Sequence, residues 1–122
     1  MAQFTTGELD VMRILWEFGE LKPAEIQSKF DREIKNPALR SYLTILLEKR
    51  HVTRRLVGKA YLYKAKTRRK TAFRGVIREL ADQFGDGSVR SLLFGLVESE
   101  KLDDEDIEEL MRIAKGKNTS EQ

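Results

Sequence analysis

Twelve Lys or Arg and no Asp or Glu lie between Lys49 and Arg78. Like charges repel, so a folded segment that keeps them together is suited to a polyanion, and nucleic acid is the first such partner. Arg54, Arg55, Lys59 and Lys64 can neutralise phosphates and release counterions, which yields affinity without sequence information. Upstream, Arg40, Ser41 and Thr44 offer short hydrogen-bonding groups and one guanidinium that can approach base edges. Tyr61 and Tyr63, alternating with Leu62, can stack on sugar or cover a sheet. Other chemistries are thinly supplied. The chain has no Cys, which excludes disulfides, thiolate metal sites and cysteine nucleophiles and fits a reducing compartment. His51 is its only histidine, a poor metal ligand or pH switch without acids around it. No glycine-rich phosphate loop or nucleophile–base arrangement occurs, so no enzyme, metal or cofactor is expected.

These residues need elements to hold them. Thr5 and Glu8 have the spacing of a capping box, and Leu9, Met12, Leu15 and Trp16 follow at helical spacing until Gly19. Trp16 at that spacing reads as core. Pro23 suits the first position of a short second helix, with Leu21 and Ile26 placed to staple its entry. Asn36-Pro37 opens a third, with Leu39, Leu43, Leu46 and Leu47 on one face and Arg40, Ser41, Thr44 and Glu48 opposite. After Val52 the period changes to two. Val52–Val57, Gly58-Lys59 and Ala60–Ala65 read as a β-hairpin whose turn uses Gly58. A fourth helix is predicted from about Arg68 to Phe84. Its cationic opening, Arg68-Arg69-Lys70, opposes the helix dipole by ~0.3–1 kcal/mol per charge. Gly85-Asp86-Gly87 breaks the chain and Ser88 caps a fifth helix. Asp103, Asp104, Glu105 and Asp106 then start a sixth, where the dipole favours acids over a cation site. Fraying is expected from about Gly116.

Three helices and a hairpin in about 65 residues have the order of a winged helix-turn-helix, with the third helix in the major groove and the Gly58-Lys59 tip on the backbone or minor groove. The fold class expected is mainly α with a small β-hairpin wing. Residues 1–66 would form the DNA-binding domain and 67–122 a helical dimerisation region. The later apolar residues, Phe73, Ile77, Leu80, Leu92, Leu93, Leu96, Ile107, Leu110 and Met111, cannot build an independent core of any size. A second copy is their simplest partner, and a two-fold homodimer would set two recognition helices about one DNA turn apart.

The charge balance divides in the same place. Residues 1–84 carry 18 basic and 10 acidic side chains, whereas residues 85–122 carry 5 basic and 10 acidic. In a chain of 122 residues, 40% apolar and 35% charged, this fits one small basic domain with an acidic appendage. No apolar run approaches the ~20 residues of a membrane span, and the first residues lack a signal-peptide layout. A cytoplasmic protein bound to double-stranded DNA is expected. The rival is a helical protein-interaction module with a basic face for an acidic partner. A cationic hairpin would be superfluous for helix pairing.

Four stretches resemble the penicillinase-repressor family: Thr6 to Trp16, Arg40 to Lys49, Val57 to Tyr63 and Leu102 to Leu110. The resemblance covers residues 5–115. The resemblance implies a dimeric winged-helix repressor on a palindromic operator. It also has departures. The family's recognition helix usually has Arg where this chain has Ile45, and Gly where it has Arg50. Antibiotic-responsive members are cut by a sensor protease at an Asn-Phe bond in the fifth helix, and the matching bond here is Gly95–Leu96. Copper-responsive members use C-terminal cysteines, which this chain lacks.

Overall fold

The structure, a computed structural model, describes residues 3–84 and 86–120, with side chains through residue 117. The element order is α1 (Thr6–Phe18), α2 (Pro23–Ser28), α3 (Asn36–Glu48), β1 (Val52–Val57), β2 (Ala60–Ala65), α4 (Arg69–Phe84), α5 (Val89–Ser99) and α6 (Asp104–Ser120). This is the winged helix-turn-helix order followed by helices. The chain forms two compact units, Met1–Glu79 and Leu80–Gln122.

In the first unit, local chemistry starts each helix. Thr5 Oγ1 accepts from Glu8 N, and Glu8 Oε1 accepts from Thr5 N, both at 3.3 Å. This reciprocal box satisfies two amides that helix geometry leaves over. Gly19 closes α1 with its N–H on the Leu15 carbonyl at 3.0 Å. Pro23 and Pro37 occupy opening positions of α2 and α3, where a missing N–H costs nothing.

The core lies where α1, α2 and α3 meet the hairpin. Val11, Met12, Leu15, Ile26, Leu39, Leu43, Leu46 and Val52 are buried in it. Each such side chain contributes about 1.5–3 kcal/mol on leaving water. α1 crosses α3 closely at Gly7, where a Cβ would collide with the Tyr42 ring. α3 ends in a tight reversal. Arg50 N donates to Leu47 O at 3.0 Å and His51 N to Leu46 O at 2.9 Å, with Arg50 itself at φ 65°. That is a Schellman ending with a guanidinium residue where glycine is easiest.

The hairpin is antiparallel, from Val52 opposite Ala65 to Val57 opposite Ala60. Gly58 takes φ 63°, which a two-residue turn needs and a side chain resists. A third segment joins the sheet. Leu21 and Tyr63 exchange backbone hydrogen bonds of 3.0 and 2.8 Å, so the α1–α2 connection pins the wing at its middle. At the other end of the unit, Ala72 is buried and Val76 packs against the same core, which seats the first turns of α4.

The second unit has well-capped helices. Ser88 Oγ accepts from Ser91 N at 3.2 Å. Asp103 Oδ1 accepts from Asp106 N at 2.8 Å, and Asp106 Oδ2 from Asp103 N at 3.2 Å, so the acids serve α6 as its cap. α6 continues through Gly116 to Ser120, beyond the point where its sequence pattern predicts fraying. Lys117 in its last turn complements the dipole there. Yet α5 and α6 bury no residue among those described.

Candidate nucleic-acid interface

α3 is held by Leu39, Leu43 and Leu46 on its buried side, which turns Arg40, Ser41 and Thr44 outward; all three are exposed. Strand alternation then sorts the wing. Partners in register share a face, so Arg54 with Tyr63, and Leu56 with Tyr61, face one way. Arg55 with Leu62, and Thr53 with Lys64, face the other. Between α3 and the first of these faces runs an open groove of about 430 Å³, lined by Arg40, Thr44, Arg54, Lys59, Tyr61 and Tyr63 with Pro23 at its edge.

The groove is organised around Arg54. Its guanidinium lies 4.0 Å from the Tyr61 ring centre and donates to Tyr63 Oη at 3.1 Å. Stacking and a hydrogen bond hold a flat, permanently charged fork without spending its charge on an acid. Tyr63 is buried and Tyr61 is 39% exposed, so the first is sheet cover and the second an exposed ring with Arg54 over one face.

The sequence-predicted residues therefore separate. Arg40, Thr44, Arg54, Lys59 and Tyr61 meet at one groove. Ser41 is exposed on α3 outside its lining. Arg55 is on the back of the ribbon, bidentate to Glu20 at 2.9 and 2.8 Å. Its guanidinium holds the Glu20 carboxyl below the usual carboxylate range. Lys64 shares that back face. Pro23 carries no functional signal in sequence, because it reads only as a helix opener.

Glu8 and His51 serve the fold. Glu8 is buried and its carboxylate meets Lys49 Nζ at 3.0 Å. Burial pushes that carboxyl up, but the Lys49 and Thr5 hydrogen bonds outweigh it and hold it below its ordinary value. His51 Nδ1 lies 2.8 Å from Thr67 Oγ1 and its ring meets Phe4 at a tilt, centroids 4.4 Å apart. Burial, then the nearby Lys49 charge, pull its pKa down. No group of three or more His, Asp or Glu is placed to hold a metal ion among the described residues.

Of the predicted dimerisation residues, Ile77, Leu80 and Leu92 are half-buried, whereas Phe73, Leu93, Leu96, Ile107, Leu110 and Met111 are exposed. The Gly95–Leu96 bond lies inside α5. No helix is long and apolar enough to cross a membrane among the described residues.

A helix presented beside a β-ribbon, with cations from both around one groove, defines a DNA-binding protein of the winged helix-turn-helix class. The profile described as penicillinase repressor matches residues 4–116. That is nearly the whole chain, and the chain belongs to this family. It is accordingly a transcriptional repressor, in a family of regulators rather than enzymes. No curated protein matches it.

Proposed function

We propose that the protein is a homodimeric repressor that reads a two-fold symmetric operator. The groove that brings Arg40 and Thr44 of α3 together with Arg54, Lys59 and Tyr61 of the wing is the observation that carries this. Arg40, Ser41 and Thr44 meet base edges in the major groove. Lys59 at the hairpin tip meets phosphate, and Arg54, stacked on Tyr61, follows the adjacent backbone. Residues 1–66 do the reading and residues 67–122 the pairing.

Dimerisation is supported by Leu93, Leu96, Ile107, Leu110 and Met111, which are exposed on helices with no core of their own. A second copy covers them and sets the two α3 helices about one DNA turn apart. The place of action is double-stranded DNA in the cytoplasm.

Selection of bound sites from a random duplex pool tests this. A consensus of two inverted half-sites with centres about 10–10.5 base pairs or a multiple apart is expected. An asymmetric consensus, or none, would overturn the symmetric reading.

A further inference from the structure

A second basic cleft lies away from the reading groove, at the base of the wing. It measures about 700 Å³, larger than the groove beside α3, and falls between the second half of α1 and the β2–α4 connection. Arg13, Lys64, Lys66, Arg68 and Arg69 line it, with Glu17 as its only acid. Arg13 is engaged with Asp10 at 2.6 Å. Lys66, Arg68 and Arg69 enter no ion pair among the described residues. One wall is apolar: Leu15, Ala65 and the half-buried Trp16. The indole is fixed there, its Nε1 donating to Thr67 O at 2.9 Å.

This cleft is poorly placed to share the duplex that α3 reads. Lys64 projects from the ribbon face opposite Arg54 and Tyr63. A strand of this length also separates the cleft from the Gly58-Lys59 tip, roughly 15–20 Å at ~3.3 Å per residue. Its volume is in the range of small-molecule sites, about 300–1,000 Å³. Unpaired guanidinium and ammonium groups facing one cavity favour an anion of several charges, and two Arg forks favour phosphate oxygens.

We propose that this cleft binds a small molecule carrying an oligophosphate group, with Lys66, Arg68 and Arg69 on the phosphates and Trp16 along the remainder. The site lies in the same unit as the groove, but its existence does not depend on what the groove reads.

Trp16 is the only tryptophan, so its emission reports on the cleft directly. The 122-residue chain is titrated with inorganic tripolyphosphate and, separately, with ATP, at constant ionic strength. A saturable change in Trp16 emission with either probe is expected, stronger with ATP if the apolar wall takes a base. Lys66→Ala and Arg69→Ala, each removing one charge-assisted contact from an exposed side chain, should each raise the half-saturation concentration about tenfold. Thermal melts confirm that both variants are folded. A change that tracks ionic strength without saturating overturns the proposal, as does saturation unaltered in both variants. Competition by a non-operator duplex at equal phosphate concentration also overturns it, because the cleft then takes DNA backbone.

Discussion

At the residue scale, a formal charge and a usable charge are different things. Arg54 and Arg55 are neighbours in sequence, yet one is stacked and free of acids while the other is clamped by Glu20. Arg54→Ala should therefore flatten the slope of log affinity against log salt by about 0.9, one phosphate's worth. Arg55→Ala should leave that slope nearly unchanged. Equal losses from the two would refute the division of the ribbon into a binding and a paired face. A related contrast separates positioning from reading. Lys59→Ala should weaken operator and random DNA alike, whereas Thr44→Ala should erode the preference between them by ~1–3 kcal/mol. Competition titrations with both duplexes measure this.

Acid should act through two interior groups that bind fewer protons folded than unfolded. His51 is held below its ordinary 6.5, so stability begins to fall as pH drops through that value. Glu8 is held below its ordinary 4.5, so its contribution is present above 4.5 and disappears as pH falls through the lower folded value. Both signs agree: the fold loses stability on acidification, in two steps. Glu8→Gln should diminish the lower step, to which the Arg55-paired Glu20 also contributes, and cost about 1–3 kcal/mol near neutrality, because Lys49 keeps its charge and loses its buried partner. Urea melts at a series of pH values would show both effects. A lower step undiminished in the variant would assign it elsewhere.

At the element scale, caps and reversals set where α3 points. The Arg50 reversal is the most strained of them. A side chain in the left-handed region costs roughly 1–2 kcal/mol, and the resemblance leads one to expect glycine at this position. Arg50→Gly should raise stability by about 1 kcal/mol without moving the wing. A loss of stability in chemical melts would mean that the guanidinium makes a compensating contact. The wing, for its part, is not a free hairpin. The Leu21–Tyr63 bridge ties its middle to the α1–α2 connection. Two strands alone are marginal in water, and the third segment supports the ribbon that carries Arg54 to the groove it lines with Thr44.

At the scale of the whole molecule, the two units have opposite needs. The first has a filled core and surplus positive charge. The second has capped helices, surplus negative charge and apolar side chains facing out. In the proposed dimer, a second copy covers the apolar surface on α5 and α6. Leu96→Asp should then shift the protein toward monomer in sedimentation experiments and weaken operator binding at least tenfold, because the second half-site no longer adds to the first. The melting temperature of the unaltered protein should rise with its concentration. A midpoint independent of concentration, with one subunit's mass throughout, would defeat the dimer.

The sequence by itself determined the local order: which segments are helices, where Thr5, Ser88 and the prolines start them, where the period changes to two, and that the cations belong to a winged helix-turn-helix. Capping, turn chemistry and periodicity act over a few residues, so they are legible in one dimension. Only the tertiary structure decided which cations are available. Glu20 reaches Arg55 across 35 positions, and Leu21 pairs with Tyr63 at the sheet. Trp16 packs against the core as its spacing predicts, but it is only half-buried and also walls a cleft with residues from the far end of β2. Ion pairs, sheet edges and cavities depend on distances that folding creates, and no spacing along the chain encodes them.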